Sequence, residues 1–218
     1  KEIDSLGALL DKPAKPFVAV IGGAKVSDKI KTIEKLMVLV DTLLIGGAMA
    51  YPFLKAKGNA VGKSLCSDED VALAKTILSL DKGGKIILPK DHIISTTLEG
   101  NGEVCHSLSI PEDHMGLDIG PETIKSFGDH IKTAKTVFWN GPMGLFESKQ
   151  FSKGTMSIAH AIAATSGFTV VGGGDSVSAV QQSGEAEKFG HVSTGGGASL
   201  EYIEKGELPG VLALKTGL

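Results

Sequence analysis

Phe17-Val18-Ala19-Val20-Ile21-Gly22-Gly23 reads as a buried strand that stops at glycine. The pattern recurs in Leu43-Leu44-Ile45-Gly46-Gly47 and Val170-Val171-Gly172-Gly173-Gly174. Val192-Ser193-Thr194-Gly195-Gly196-Gly197 is a fourth, more polar version. Each is followed by a plausible helix. A glycine turn lets backbone approach a ligand, because no Cβ stands in the way. The following helix start offers free N–H groups and a positive dipole end, which favour phosphate. Several such junctions in a parallel sheet line up along one edge, so a nucleotide or phosphate crevice is the leading reading.

Outward from these turns, strands alternate with helices. Amphipathic spacing predicts helices over 1–12, 27–40, 48–57, 67–80, 121–132, 152–165, 175–183 and 198–205. Strands are predicted over 17–21, 42–45, 85–88, 136–139 and 169–171. The Ser-, Thr- and Gly-rich stretch 93–109, with Asn101-Gly102 as a hairpin signal, reads as a small antiparallel excursion. The alternation predicts an α/β fold: a doubly wound, Rossmann-like, mostly parallel sheet with helices on both faces. No strong domain boundary interrupts it.

The 218 residues suffice for one large domain with a real core. A net charge of -3 gives no general attraction to nucleic acid or anionic membrane, and no apolar run reaches the 18 residues of a spanning helix. The start, Lys1-Glu2-Ile3-Asp4, has neither the form of a signal peptide nor an initiator Met, which suggests a fragment or a processed product. Cys66 and Cys105 lack a CxxC partner; a reduced intracellular protein is the simple reading, and the spacing leaves one disulfide open. His92, His106, His114, His130, His160 and His191 show no metal-ligand spacing and read as surface or satisfied core residues.

Three stretches could carry chemistry. Lys25 and Lys29, four apart after Gly22-Gly23, are expected on one face of the first turns of the next helix. Cations are disfavoured there unless a polyanion binds. The bland reading makes both solvated surface residues. Asp175-Ser176 after Gly172-Gly173-Gly174 offers a carboxylate for Mg²⁺ and a hydroxyl for phosphate, or simply a helix cap. Trp139-Asn140-Gly141-Pro142-Met143-Gly144-Leu145-Phe146-Glu147 offers apolar walls for a base and a carboxylate for ribose, or an ordinary Gly-Pro loop. Neither GxxxxGK[ST] nor GxGxxG is present, which disfavours a P-loop enzyme and an NAD-dependent dehydrogenase.

These stretches, with Gly116-Leu117-Asp118-Ile119-Gly120-Pro121 and Ser193-Thr194-Gly195-Gly196-Gly197-Ala198-Ser199-Leu200-Glu201, resemble the phosphoglycerate kinase family in that family's order. The resemblance runs end to end through this chain and covers the family's carboxyl-terminal, nucleotide-binding half. Residues 1–12 resemble the end of the interdomain helix, and 13–218 the nucleotide-binding domain. The resemblance implies an amino-terminal partner domain carrying the 3-phosphoglycerate site and the catalytic arginine. It also implies a cytoplasmic, glycolytic, monomeric enzyme that moves a phosphoryl group between 1,3-bisphosphoglycerate and Mg-ADP.

By the same resemblance, Lys25 and Lys29 contact the nucleotide phosphates and the group in flight. Gly23, Gly46, Gly47, Gly116, Leu117, Pro142 and Leu145 shape the adenosine slot, and Ala24 also binds the nucleotide. Glu147 binds ribose, and Asn140 lies beside the phosphates. Asp175 holds Mg²⁺, with Gly173, Gly174 and Ser176 around the terminal phosphates. Gly196, near Thr194, presents helix N–H groups to the transferring phosphate. Ser176 stands where threonine is frequent, and either hydroxyl can donate. The resemblance leaves two functions for these 218 residues: the nucleotide half of a phosphotransfer enzyme, with little turnover alone, or a Mg-nucleotide binding module.

Overall fold

Strand β1 (Phe17–Ile21) lies at the centre of the molecule, and its residues alternate between two cores. Phe17, Ala19 and Ile21 enter one hydrophobic cluster, Val18 and Val20 the other. The period-2 geometry of a strand makes this unavoidable, so a strand with both faces covered must be apolar throughout. The structure, a computed structural model, describes residues 2–206.

Helix α1 (Glu2–Leu10) precedes β1, and α2 (Ile30–Leu39), β2 (Thr42–Ile45), α3 (Ala50–Ala56), α4 (Asp68–Leu80) and β3 (Ile86–Ile87) follow it. Next come β4 (His92–Ser95), β5 (Glu103–Cys105) and β6 (Met115–Ile119), a separate three-stranded sheet in the order β5-β4-β6 with both pairings antiparallel. The chain then returns through α5 (Pro121–Thr133), β7 (Thr136–Asn140), α6 (Lys153–Ala164), β8 (Phe168–Gly172), α7 (Gly174–Ser183), β9 (His191–Val192) and α8 (Ala198–Lys205). The main sheet has the order β3-β2-β1-β7-β8-β9, and all five of its pairings are parallel. This is the doubly wound α/β fold expected. Among the described residues no helix is long and apolar enough to cross a membrane.

The strand order reverses between β1 and β7. The first half of the chain winds outward from β1 to β3; the second half returns beside β1 and winds the other way. At such a switch point the flanking loops diverge and leave a crevice beyond the carboxyl ends of the strands. The turns at this switch point carry Gly22-Gly23 and Gly141-Pro142.

The structure corrects one reading that bears on function. Helix α2 begins at Ile30, not at residue 27, so Lys25 lies in a loop and Lys29 occupies the cap position. The two lysines do not share a helical face. Tertiary tethers override the helical periodicity: the Ser27 N–H donates to the Asp70 carboxylate at 2.9 Å, and Val26 is fully buried. Elsewhere Ser67 caps α4 as expected, its hydroxyl accepting from the Asp70 N–H. The excursion is antiparallel as expected, but β6, which completes it, was not predicted.

His92 on β4 is completely buried against the Tyr51 ring, centroids 5.5 Å apart. Burial lowers its pKa below the usual 6.5, against smaller opposing effects of the Leu108 backbone and Asp91. A depressed folded-state pKa favours the neutral ring. The associated stability is therefore present above pH 6.5 and drains away as pH falls below it. His92→Leu is expected to flatten this acid limb, measured as urea-unfolding stability at pH 7 and pH 5. Equal losses in both chains would show that His92 takes up no proton on unfolding.

Candidate functional site

The glycine turns are stapled to one another. The Gly22 N–H donates to the Asn140 carbonyl at 2.9 Å and the Gly23 N–H to the Pro142 carbonyl at 3.1 Å. The Gly47 N–H donates to the Met143 carbonyl at 3.1 Å, and the Met49 N–H returns to Gly23 O at 3.0 Å. The ends of β1, β2 and β7 thus meet backbone to backbone. A Cβ on Gly22 would stand 2.1 Å from the Pro142 carbonyl oxygen; one on Gly141, whose φ is +96°, would stand 2.1 Å from Gly22 O.

Above these turns opens a crevice of about 410 Å³. Its floor is glycine backbone and small residues: Gly23, Ala24, Gly47 and Ala48. Pro142, Gly144, Leu145 and Glu147 form one wall; Met115, Gly116 and Leu117 of β6 form another. Asp175, at the start of α7, also lines it. Strand β6 is held in place through Asp118, whose buried carboxylate accepts from the Gly154 N–H at 2.7 Å and the Ile119 N–H at 2.9 Å. Burial nevertheless pushes the Asp118 pKa up to about 8.

Nine expected site residues therefore converge on the crevice: Gly23, Ala24, Gly47, Gly116, Leu117, Pro142, Leu145, Glu147 and Asp175. Gly46 does not line it; a Cβ there would meet the Met143 sulfur at 2.4 Å, so this glycine serves core packing. Asn140 and Ser176 sit behind the turns. The Asn140 amide donates to Gly172 O at 2.8 Å, and the Ser176 hydroxyl, fully buried, accepts from the Gly141 N–H at 2.6 Å. Both side chains couple the β7 turn to the β8 turn. Gly174 is exposed at the start of α7, behind Gly173, which has φ +92°. The first N–H groups of that helix have no intrahelical acceptor, as at any helix start. Gly196 is exposed in the loop before α8, outside the crevice lining.

Lys25 is exposed in the loop after β1. Lys29 points the other way. Its ammonium donates to Gly22 O at 2.5 Å and lies 3.4 Å from Asn140 O, in the cradle between the β1 and β7 turns. Desolvation lowers its pKa to about 8, although Asp175 and Asp28 act in the opposite direction. This is a cation with little water, held by two carbonyl oxygens with the Asp175 and Asp28 carboxylates near enough to favour its charge, and an arriving anion would stabilise it further.

The crevice also includes residues that sequence reasoning missed: Ala48, Tyr51, Lys63, Leu65, Leu98, Met115 and Gly144. Ala48, Met115 and Gly144 adjoin or lie within motifs already singled out. Tyr51 arrives from α3, and Lys63, Leu65 and Leu98 from connections with no local signal.

A family model described as phosphoglycerate kinase matches residues 1–206. Phosphoglycerate kinase of Moorella thermoacetica is 51% identical over 218 residues, which cover 98% of this chain and 56% of the relative. That of Anaeromyxobacter sp. (strain K) is 53% identical over 217 residues, 98% of this chain and 55% of the relative. The solved structure of phosphoglycerate kinase from Coxiella burnetii matches with a TM-score of 0.93 at 37% identity, covering 99% of this chain and 56% of that one. The enzyme from Pyrococcus horikoshii OT3 matches with a TM-score of 0.87 at 32% identity, covering 98% of this chain and 55% of that one. The chain spans a little over half the length of the curated relatives it matches.

Proposed function

The chain belongs to the phosphoglycerate kinase family, and on that premise we propose that it is the nucleotide-binding half of such an enzyme. It binds ADP or ATP in the crevice at the β1/β7 switch point. With the remaining length that its relatives possess, it takes part in phosphoryl transfer between 1,3-bisphosphoglycerate and ADP in glycolysis. Alone, these residues bind nucleotide with little or no turnover, since the acyl-phosphate site belongs to the other half. A monomeric, cytoplasmic protein fits this role. The observation that carries the reading is the convergence of an apolar, glycine-floored slot, a half-desolvated lysine and a helix start on one sheet edge.

Each group has a task that its position suits. The slot between the Gly47 floor and the β6 wall takes the adenosine, with Glu147 accepting from ribose hydroxyls. The phosphates extend toward α7, whose first N–H groups donate to them. Lys29, displaced from Gly22 O, neutralises charge on the transferring group, and exposed Lys25 reaches it from outside. Gly196 and the turn before α8 offer further N–H donors once the two halves close. The donor set around Asp175 fits Mg²⁺: an exposed carboxylate beside a phosphate-binding helix start leaves the remaining ligands to phosphate oxygens and water. When bound, Mg²⁺ supplies charge neutralisation across the phosphates. Catalysis in this arrangement is positioning and electrostatics, with no covalent enzyme intermediate.

Thermal melting tests the reading. Mg-ADP at a hundredfold excess over Kd stabilises the folded chain by about 2.7 kcal/mol, so the melting temperature rises. Asp175→Ala is expected to lose the part of this rise that EDTA also removes, while keeping the metal-free part. No rise at any nucleotide concentration would overturn the nucleotide reading. Equal loss with and without metal would leave Asp175 as a helix cap only.

A further inference from the structure

Away from the crevice, the fold gathers three metal-ligating side chains from distant parts of the chain. Asp91 immediately precedes β4, His106 immediately follows β5, and Glu122 is the second residue of α5. One ligand atom from each lies within 4.8 Å of the other two, and among the described residues no other such trio exists. None of the three lines the crevice, and nothing above gives them a ligand.

Asp91 is the fixed member. It is completely buried, and its Oδ1 accepts from the Thr123 N–H at 2.8 Å and the Thr123 hydroxyl at 2.6 Å. Its Oδ2 accepts from the Glu122 N–H at 2.8 Å. A carboxylate offers roughly two lone-pair sites on each oxygen, so Oδ2 keeps one for a further partner. Among the described residues no ammonium pairs with this buried charge. His106 and Glu122 are exposed above it, with Nδ1 3.4 Å from Oε1. A tetrahedral ion with metal–ligand bonds of about 2.0–2.1 Å holds its ligands about 3.3 Å apart, so this pair already has the required spacing.

The other histidine–carboxylate groups lack this convergence. His160 meets Glu185 at 3.1 Å, but Lys188 also claims Glu185, at 2.7 Å. His114 meets Asp113 and Glu103 through opposite ring nitrogens, so one ion cannot reach both carboxylates beside it. The trio offers one imidazole nitrogen and two carboxylate oxygens. Imidazole suits Zn²⁺ and its neighbours, whereas Mg²⁺ prefers an all-oxygen octahedron and keeps its water. The start of a helix repels a lone cation. Here two carboxylates offset that repulsion and balance the charge of a divalent ion.

We propose that Asp91, His106 and Glu122 form a binding site for a divalent transition cation of the Zn²⁺ class, with water completing its coordination. Small rotations of the two exposed side chains close the site over Asp91. The bound ion fastens the end of β5 to the start of α5, and so ties the excursion sheet to the rest of the chain. The inference is independent of the nucleotide reading.

Titration calorimetry and thermal melting of the 218-residue chain with zinc chloride, in excess Mg²⁺ and without nucleotide, test it. One Zn²⁺ should bind, and the melting temperature should rise. His106→Gln and Glu122→Gln should each weaken binding by about tenfold or more, since even groups that merely support metal ligands contribute about 10–100-fold. Both side chains are exposed, so the metal-free melting temperature should hardly move. His160→Gln, which alters a histidine–glutamate pair without a third ligand, should bind Zn²⁺ as the parent does. No Zn²⁺ uptake, or uptake that Mg²⁺ abolishes, overturns the proposal. Undiminished binding in His106→Gln and Glu122→Gln overturns it by placing the ion elsewhere. A loss in His160→Gln as large as in His106→Gln overturns it by making the uptake a general property of surface histidines.

Discussion

Lys29→Met, placed in the full-length enzyme of which we propose this chain to be the nucleotide half, is expected to lower kcat by about 10²–10³ with a smaller change in KM for ADP. That is the usual cost of removing one donor to charge that develops in the transition state. The asymmetry follows from placement. The proposed adenosine slot is lined by Gly47, Gly116 and Leu145, whereas the Lys29 ammonium lies at the β1/β7 turns. The same residue gives a signature in the 218-residue chain alone. Its pKa of about 8 is low because burial strips water from the ammonium. Bound phosphates would favour the charged form and raise that pKa, so nucleotide binding near pH 8 takes up protons. Affinity then weakens as pH rises above about 8. Calorimetry in two buffers of different ionisation enthalpy measures the uptake, which should vanish in Lys29→Met. A full-length variant with near-parental kcat, or binding without proton uptake, would remove Lys29 from the phosphate site.

Gly141→Ala should be strongly destabilising. The new methyl would stand 2.1 Å from Gly22 O and 2.5 Å from the Lys29 ammonium, and the backbone φ of +96° is one that alanine rarely adopts. Strain of this kind costs about 1–3 kcal/mol and overpacking about as much again, so the expected loss is about 2–6 kcal/mol. Gly128→Ala is the matched control. A Cβ at that position on α5 meets nothing within 4 Å, and alanine in a helix gains about 0.5–1 kcal/mol over glycine. Urea titration of the two variants should move in opposite directions. Movement together would mean that the turn backbone yields, and that the close approach of β1 and β7 is not a constraint.

Much of this architecture could be read from the chain because the parallel strands are mostly apolar. Phe17–Ile21 and Thr42–Ile45 are found where their composition put them, and β7 and β8 each run only slightly longer than expected. Strand β6 escaped because Met115-Gly116-Leu117-Asp118-Ile119 carries a glycine and a buried acid. The acid is explained by the Gly154 N–H, 36 residues away, together with the Ile119 N–H. The site divides in the same way. Glycine turns announce themselves locally, since few other needs put two or three glycines after an apolar run. Lys63, Leu65 and Leu98 reach the crevice through an excursion whose path depends on pairings such as Val61 with Ile110, which leave no periodic mark. The lysine pair was misread for a similar reason. The helical spacing is real, but the Ser27–Asp70 tether decides where the helix begins.

The adjacency of β1 and β7 also bears on how the molecule assembles. Lys29 and Asn140, which meet across this junction, are 111 residues apart in the chain. Closing so long a loop is entropically slow, and contacts of this range lengthen the search for the native topology. The junction is therefore expected to form late in folding, after hairpin-like units such as β4 with β5. A ligand held across it meets no competent partner in an early chain. Its energy falls on the escape from the native state, and occupancy lengthens the lifetime of the folded molecule rather than hastening its birth.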